Sequence, residues 1–199
     1  MPQAVAYNKT MNAVEEISKT YDVDPEHTQK VVQLALAIFD ELVPLHHYGA
    51  PERHLLAMAS RMHDIGWSKT VFQGHHKISA DMIMKLEIPG LSDKDRIICS
   101  LIARYHTKAL PNPSRHRKFA SLNAKNRSLV EWLAGMLRIA DALDSSHTGI
   151  VKNLNIIISD KSLSFQLETE VDCWDEVRRA RIKQDLLVTK TGKVIMYQC

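Results

Sequence analysis

The run LLAMASRMHDIGW, residues 55–67, is an apolar helical stretch that carries a histidine and an aspartate, His63 and Asp64, side by side just before Gly66. Leu55, Leu56, Met58, Ala59, Met62 and Ile65 make it a core helix. A core is a costly place for an imidazole and a carboxylate unless they pair or ligate something. Neighbouring residues on a helix project roughly 100° apart, so both side chains reach one ion only at the helix end, with other helices supplying further ligands.

Working outward, residues 10 to 147 carry helical periodicity. Asp24-Pro25 marks a helix start, and Val31, Val32, Leu34, Ala35, Ile38, Phe39 and Leu42 form an amphipathic stripe that stops before Pro44. A second helix begins near Pro51 and runs into His63-Asp64. A third covers His75 to Leu86, and a fourth starts after Ser92, whose spacing to Asp95 is a capping signal. The polar, basic loop ALPNPSRHRKFASLN separates that helix from a long one, Asn126 to Ser146. Beyond His147 the period changes to two: Leu154, Ile156 and Ile158, then Leu163, Phe165 and Leu167, predict strands joined at Ser159-Asp160-Lys161. A charged helix from Trp174 to Leu187 and a last strand from Val194 to Tyr197 follow. The expected fold is mainly α: a helical domain over residues 1–149, with a small α+β lobe over 150–199 packed on it.

At 199 residues the chain can bury one good core, and a formal charge of +3 is far from the basic stripes of a dedicated nucleic-acid binder. It suits small phosphorylated ligands better. Cys99, Cys173 and Cys199 are far apart and form no CxxC, which predicts reduced thiols. The N-terminus lacks the features of a secretory signal and no apolar run approaches a membrane span, so a cytoplasmic protein without membrane contact is expected.

His27, in the first turn of its helix, His63-Asp64, and Asp141 in the apolar LRIADALD segment occur in the order H...HD...D. This resembles the HD superfamily of metal-dependent phosphohydrolases, and the likeness is closer still to one group. MHDIGWSKT, GHHKISADMI, IPGLSDKDR, IARYHTKALP and LRIADALDSSH, with a looser match at residues 43–49, resemble the C-terminal HD-type region of the exopolyphosphatase and guanosine pentaphosphate phosphatase family. That resemblance covers essentially the whole chain and implies an HD helical bundle followed by a small lobe of strands and a helix. In that family polyphosphate hydrolysis belongs to an actin-like ATPase-type domain with glycine-rich loops. These residues hold only seven glycines and no such loop, so any chemistry is expected from the HD site itself.

The resemblance implies a divalent ion held by His27, His63, Asp64 and Asp141. His75 and His106 stand where binuclear members hold a second metal, with His76 as the fallback if the register slips by one. Ile78 stands where the family segment often has another histidine. Imidazoles and carboxylates suit Mn²⁺, Fe²⁺, Ni²⁺, Zn²⁺ or Mg²⁺ without choosing among them. His63 and Asp64 are the expected catalytic pair, with Asp64 orienting or deprotonating the nucleophile. Arg138, one turn before Asp141, and Arg104, Lys108 and Arg115, with His116, Arg117 and Lys118 beside them, are candidates for holding phosphate; an i,i+3 ion pair for Arg138 and a solvated loop for the rest are the alternatives. His46, His47, His54 and His147 are read as surface residues, Trp132 as core and Trp174 as packing of the lobe.

The leading expectation is a metal-dependent phosphohydrolase acting on a phosphate ester or anhydride: a nucleotide, guanosine tetra- or pentaphosphate, or polyphosphate. The competing one is a regulatory or dimerisation module that binds nucleotide, polyphosphate or a protein partner without turnover. The apolar face of Leu163, Phe165 and Leu167 needs a cover, so a homodimer is expected if the body does not supply all of it.

Overall fold

In the computed structural model, residues 2–199 are described, with side-chain detail from Asn8 onward. The fold is mainly α with a small C-terminal α+β portion. Helix α1 (Pro2–Tyr21) is followed by α2 (Pro25–Glu41), which starts where Asp24 accepts a hydrogen bond from the backbone N–H of His27 at 3.2 Å. That cap fixes His27 in the first turn. Helix α2 ends before Pro44 as expected, and the proline lies inside the first turn of a separate short helix, α3 (Val43–His46), where its missing N–H costs nothing.

Helix α4 (Ala50–Arg61) is the core helix of the opening motif, and its Glu52 reaches back to the N–H of Gly49 at 3.0 Å. His63 and Asp64 fall in the turn between α4 and a 3₁₀ segment, Ile65–Lys69. Gly66 is required there by proximity: a Cβ would lie 2.2 Å from the carbonyl oxygen of His75 and 2.7 Å from the nitrogen of Ser79. The start of α5 (His75–Lys85) is thereby pressed against the turn that carries His63 and Asp64. Helix α6 (Asp93–Tyr105) is capped by Ser92, whose Oγ accepts from the N–H of Asp95. A single helical turn, α7 (Arg117–Ala120), interrupts the basic loop. Helix α8 (Ala124–Ala142) runs through the centre, packed on α2, α4 and α6.

Strands β1 (Val151–Ile158) and β2 (Ser162–Thr169) form the expected antiparallel hairpin, with Ile156 opposite Phe165. The charged helix is broken at Gln184 into α9 (Trp174–Lys183) and α10 (Asp185–Thr191). Strand β3 (Val194–Gln198) then returns parallel to β2, giving the order β1-β2-β3. This portion packs on the helices through β1 against α2, and through α9 and α10 against α8. A Cβ at Gly135 would meet Leu186 Cβ and Leu187 N at 3.3 Å, so α10 seats directly on the α8 backbone. Leu163, Phe165 and Leu167 are buried within one chain, together with Ile195 and Tyr197, so the sheet face needs no second copy to cover it.

Several sequence expectations are corrected. Cys173 and Cys199 are joined by a disulfide, because the parallel return of β3 brings the last residue to the loop before α9, with Cα atoms 6.2 Å apart; Cys99 is a buried free thiol. His46 is in the core, not on the surface. Its Nε2–H donates to the carbonyl of Phe39 and its Nδ1 accepts from the N–H of Tyr48, both at 2.9 Å. Trp174 is exposed, with Arg181 over its ring, and leaves packing of the lobe to Val177 and Ala180. Among the described residues no helix is long and apolar enough to cross a membrane.

Candidate metal centre

The fold brings five segments to one point. His27 enters from the first turn of α2, His63 and Asp64 from the turn after α4, His75 from the start of α5, His106 from the end of α6, and Asp141 from the last turn of α8. His27 Nε2 lies 3.5 Å from Asp141 Oδ1, and His63 Nε2 lies 3.6 Å from Asp64 Oδ2 and 3.9 Å from Asp141 Oδ1. On the other side of Asp64, its Oδ1 is 3.2 Å from His75 Nε2 and 3.4 Å from His106 Nε2. Two groups with ligand spacing result, His27-His63-Asp64 and Asp64-His75-His106, with Asp64 in both.

The outward nitrogens are anchored. His27 Nδ1–H donates to Asp144 Oδ2 at 2.8 Å, His63 Nδ1–H to the carbonyl of Ser60 at 2.7 Å, and His106 Nδ1–H to the carbonyl of Ala103 at 2.6 Å. Each bond fixes the ring and points its Nε2 inward, the arrangement that orients a metal-ligating imidazole. His27 Nε2, His63 Nε2 and Asp64 Oδ1 are buried without a hydrogen-bond partner. Leaving three such atoms unsatisfied in a native core is expensive, and a divalent cation among them removes the cost. The donor set of imidazoles and carboxylates fits a first-row divalent ion.

Burial opposes charge on His27, but the carboxylates of Asp141 and Asp144 outweigh it and raise its pKa to about 10, so without a metal the ring carries a proton on each nitrogen, and a bound cation would displace the one on Nε2. Burial, helped by the charges of His63 and Lys183, drives His106 down to about 3 against the opposing pull of Asp64 and Asp141. Asp141 is held well below the usual carboxylate range despite burial, chiefly by Lys183 and His27; Asp64 is also lowered despite burial, by its surrounding histidines. The His75 and His106 Nε2 atoms face each other at 3.2 Å, and since His106 already donates through Nδ1, only a proton on His75 or a cation between the rings makes that contact favourable.

Sequence reasoning missed three contributors. Asp144, the partner of His27, lies in the turn just after α8, three residues beyond Asp141, a spacing that could have flagged it. His147, in a left-handed turn, stacks on the His27 ring at 3.9 Å and pairs with Asp24 at 2.7 Å; α8 ends at Ala142, so His147 complements no helix end. Lys183, from α9, pairs with Asp141 and had no sequence signal.

The expected phosphate binders divide. Arg104 and Arg115 line a cavity of about 220 Å³ with Asp81, His116, Arg117 and Lys118. Lys108 is bonded to Gln73. Arg138 is buried and pairs with Asp185 through both Nε and Nη2, while Nη1 donates to the carbonyl of Tyr105, so its guanidinium is committed within the protein and not to an i,i+3 pair. His76 is buried on α5 outside both ligand groups, and burial pushes its pKa down to about 4.

A family model described as Ppx/GppA phosphatase, domain III, matches residues 10–188. The chain belongs to the Ppx/GppA phosphatase family. The matched span of this domain III runs from within α1 into α10, so it contains every ligand of the cluster together with Asp144 and Lys183.

Proposed function

We propose that this Ppx/GppA domain III is an HD-type metal-dependent phosphohydrolase acting on a small phosphate ester or anhydride, such as a nucleotide, guanosine tetra- or pentaphosphate, or polyphosphate. The carrying observation is the set of buried Nε2 atoms on His27 and His63, each aimed inward by an anchored Nδ1–H and unpartnered beside Asp64. His27, His63, Asp64 and Asp141 would hold one ion, and Asp64, His75 and His106 a second. Such an ion supplies Lewis acidity toward a phosphoryl oxygen and lowers the pKa of water. Asp64, ionised and common to both groups, is placed to orient a nucleophile, while His63 and His27 are held rigidly by Ser60 and Asp144. Arg104 and Arg115, in their cavity between α5 and α6, would take charge on a more distant part of an anionic substrate.

Two further openings reach His27, of about 260 Å³ and 490 Å³, the first lined also by Asp64, Trp67 and His147. These give a substrate access to the cluster from the α2 side. A cytoplasmic setting belongs to the same reading, and the Cys173–Cys199 bond tests it, since such pairs are rare in reducing compartments.

A second reading, a regulatory or dimerising module that binds a phosphorylated ligand without turnover, is supported by one observation: residues 10–188 match domain III of the family. Elemental analysis of the purified protein, with a phosphate-release screen over nucleotides and short polyphosphates, separates the two. Hydrolysis abolished by chelator and restored by Mn²⁺ supports the enzyme; bound metal with no release across the screen supports the module; no metal at all defeats both uses of the cluster.

A further inference from the structure

The proposed centre presents the carboxylates of Asp64 and Asp141, which repel a phosphate unless cations stand beside them. Among the described residues, the carboxylates of Asp64 and Asp141 pair with histidines and with a single ammonium group, that of Lys183.

Lys183 is the last residue of α9, just before the break at Gln184. Its backbone is fixed from both sides by one guanidinium: Arg138 Nε donates to the Lys183 carbonyl at 3.1 Å and to Asp185 Oδ1 at 3.0 Å, and Nη2 donates to Asp185 Oδ2 at 3.1 Å. Arg138 itself is only 3% exposed and is tied to the end of α6 through the Tyr105 carbonyl, next to His106. The same contacts that deny Arg138 to substrate therefore aim Lys183 into the cluster. Its side chain is 23% exposed, against 12% for Asp141, so the ammonium sits at the rim, between the buried ligands and solvent. A lysine stem is long and flexible, and its head can turn while its backbone stays clamped.

We propose that Lys183, delivered by the C-terminal lobe, is the phosphate-binding cation of the centre, and that Arg138 is its positioning residue. In the metal-free protein the ammonium neutralises Asp141; with the carboxylate taken up by a metal, it is free to bind a phosphoryl oxygen. The lobe is then part of the site, and a helical body without it binds metal but holds phosphate poorly. This rests on the metal-centre reading above.

The test uses the whole 199-residue chain and two probes, Mn²⁺ and inorganic phosphate, by titration calorimetry. Lys183→Met is expected to keep or improve Mn²⁺ affinity, since Asp141 loses a competitor. Its Mn²⁺-dependent phosphate affinity is expected to fall about tenfold or more, the worth of one charge-assisted hydrogen bond. Lys183→Arg should recover most of that loss. Retained Mn²⁺ binding by Lys183→Met shows that the centre is intact, which separates lost recognition from misfolding. If wild-type protein binds Mn²⁺ but Lys183→Met leaves phosphate affinity within about twofold, Lys183 is only a latch on Asp141 and the proposal fails alone. If the wild type binds no Mn²⁺, the hydrolase reading fails and takes the proposal with it.

Discussion

The two halves of the histidine cluster share Asp64 but are built differently. In the His27-His63 half each ring is anchored through Nδ1, one to a carboxylate and one to a carbonyl, and both Nε2 atoms are buried and unpaired. In the other half only His106 is anchored, while His75 leaves Nδ1 without a partner and is held by stacking on Trp67 at 4.0 Å. The first half is preorganised for a permanent ion; in the second, ordering His75 must be done by the ion itself, which weakens binding. The contrast predicts one tight site and one weaker site.

The largest expected effect is at the shared ligand. Asp64→Asn is isosteric, so the fold should survive with an unchanged circular dichroism spectrum, while both sites weaken by about 100-fold or more, beyond what loss of an outer partner costs. A variant that still purifies with its full metal complement would remove Asp64 from the centre.

Asp144→Asn and His75→Ala sharpen the difference between halves. Asp144→Asn keeps an acceptor for the N–H of Gly149 but weakens the hold on the His27 ring, and should reduce affinity at the tighter site by about 10–100-fold. His75→Ala should abolish the weaker equivalent and leave the tighter one unchanged. Competitive Mn²⁺ titration with a chelating dye reads both; identical losses at the two sites would break the distinction.

A smaller effect is expected from Gly66→Ala, which drives a methyl group into the backbone of His75 and Ser79. The strain should cost about 1–3 kcal/mol and lower Tm by a few degrees. Because α5 must move, the His75 half should lose metal before the His27 half does.

His46 is the control. It too is a buried imidazole, but both nitrogens are satisfied inside the protein, and burial lowers its pKa. A folded-state pKa below the unfolded value means that the unfolded chain binds the extra proton first. The stabilisation is therefore fully present above about pH 6.5 and is lost as pH falls below it. His46→Gln should show a shallower acid loss of stability between about pH 6.5 and 5 than the wild type in paired denaturant titrations, with unchanged Mn²⁺ binding. An equal slope would show that His46 does not titrate on unfolding.

The comparison also separates what was legible in the sequence from what was not. Periodicity located the helices, the Ser92 cap and the hairpin, because those features depend on residues within one turn or one strand pair. That His27, His63-Asp64, His75, His106 and Asp141 belong together was readable because their order resembles a known family pattern, and because a charged residue in an apolar helix stands out. Roles that depend on the other end of a contact were not readable. His46 and His147 looked equivalent in sequence, yet one is a satisfied core residue and the other stacks on a ligand. Arg138 looked like a phosphate binder until Asp185 and the Lys183 carbonyl claimed it, and Cys173 meets Cys199 only because β3 returns parallel to β2. Lys183, 42 residues from Asp141 along the chain, becomes its partner through the packing of α9 on α8. Local sequence determined which residues could ligate and which segments could be helical; long-range packing alone decided which of the remaining polar groups stand next to them, since a side chain's partners are set by geometry that no short window contains.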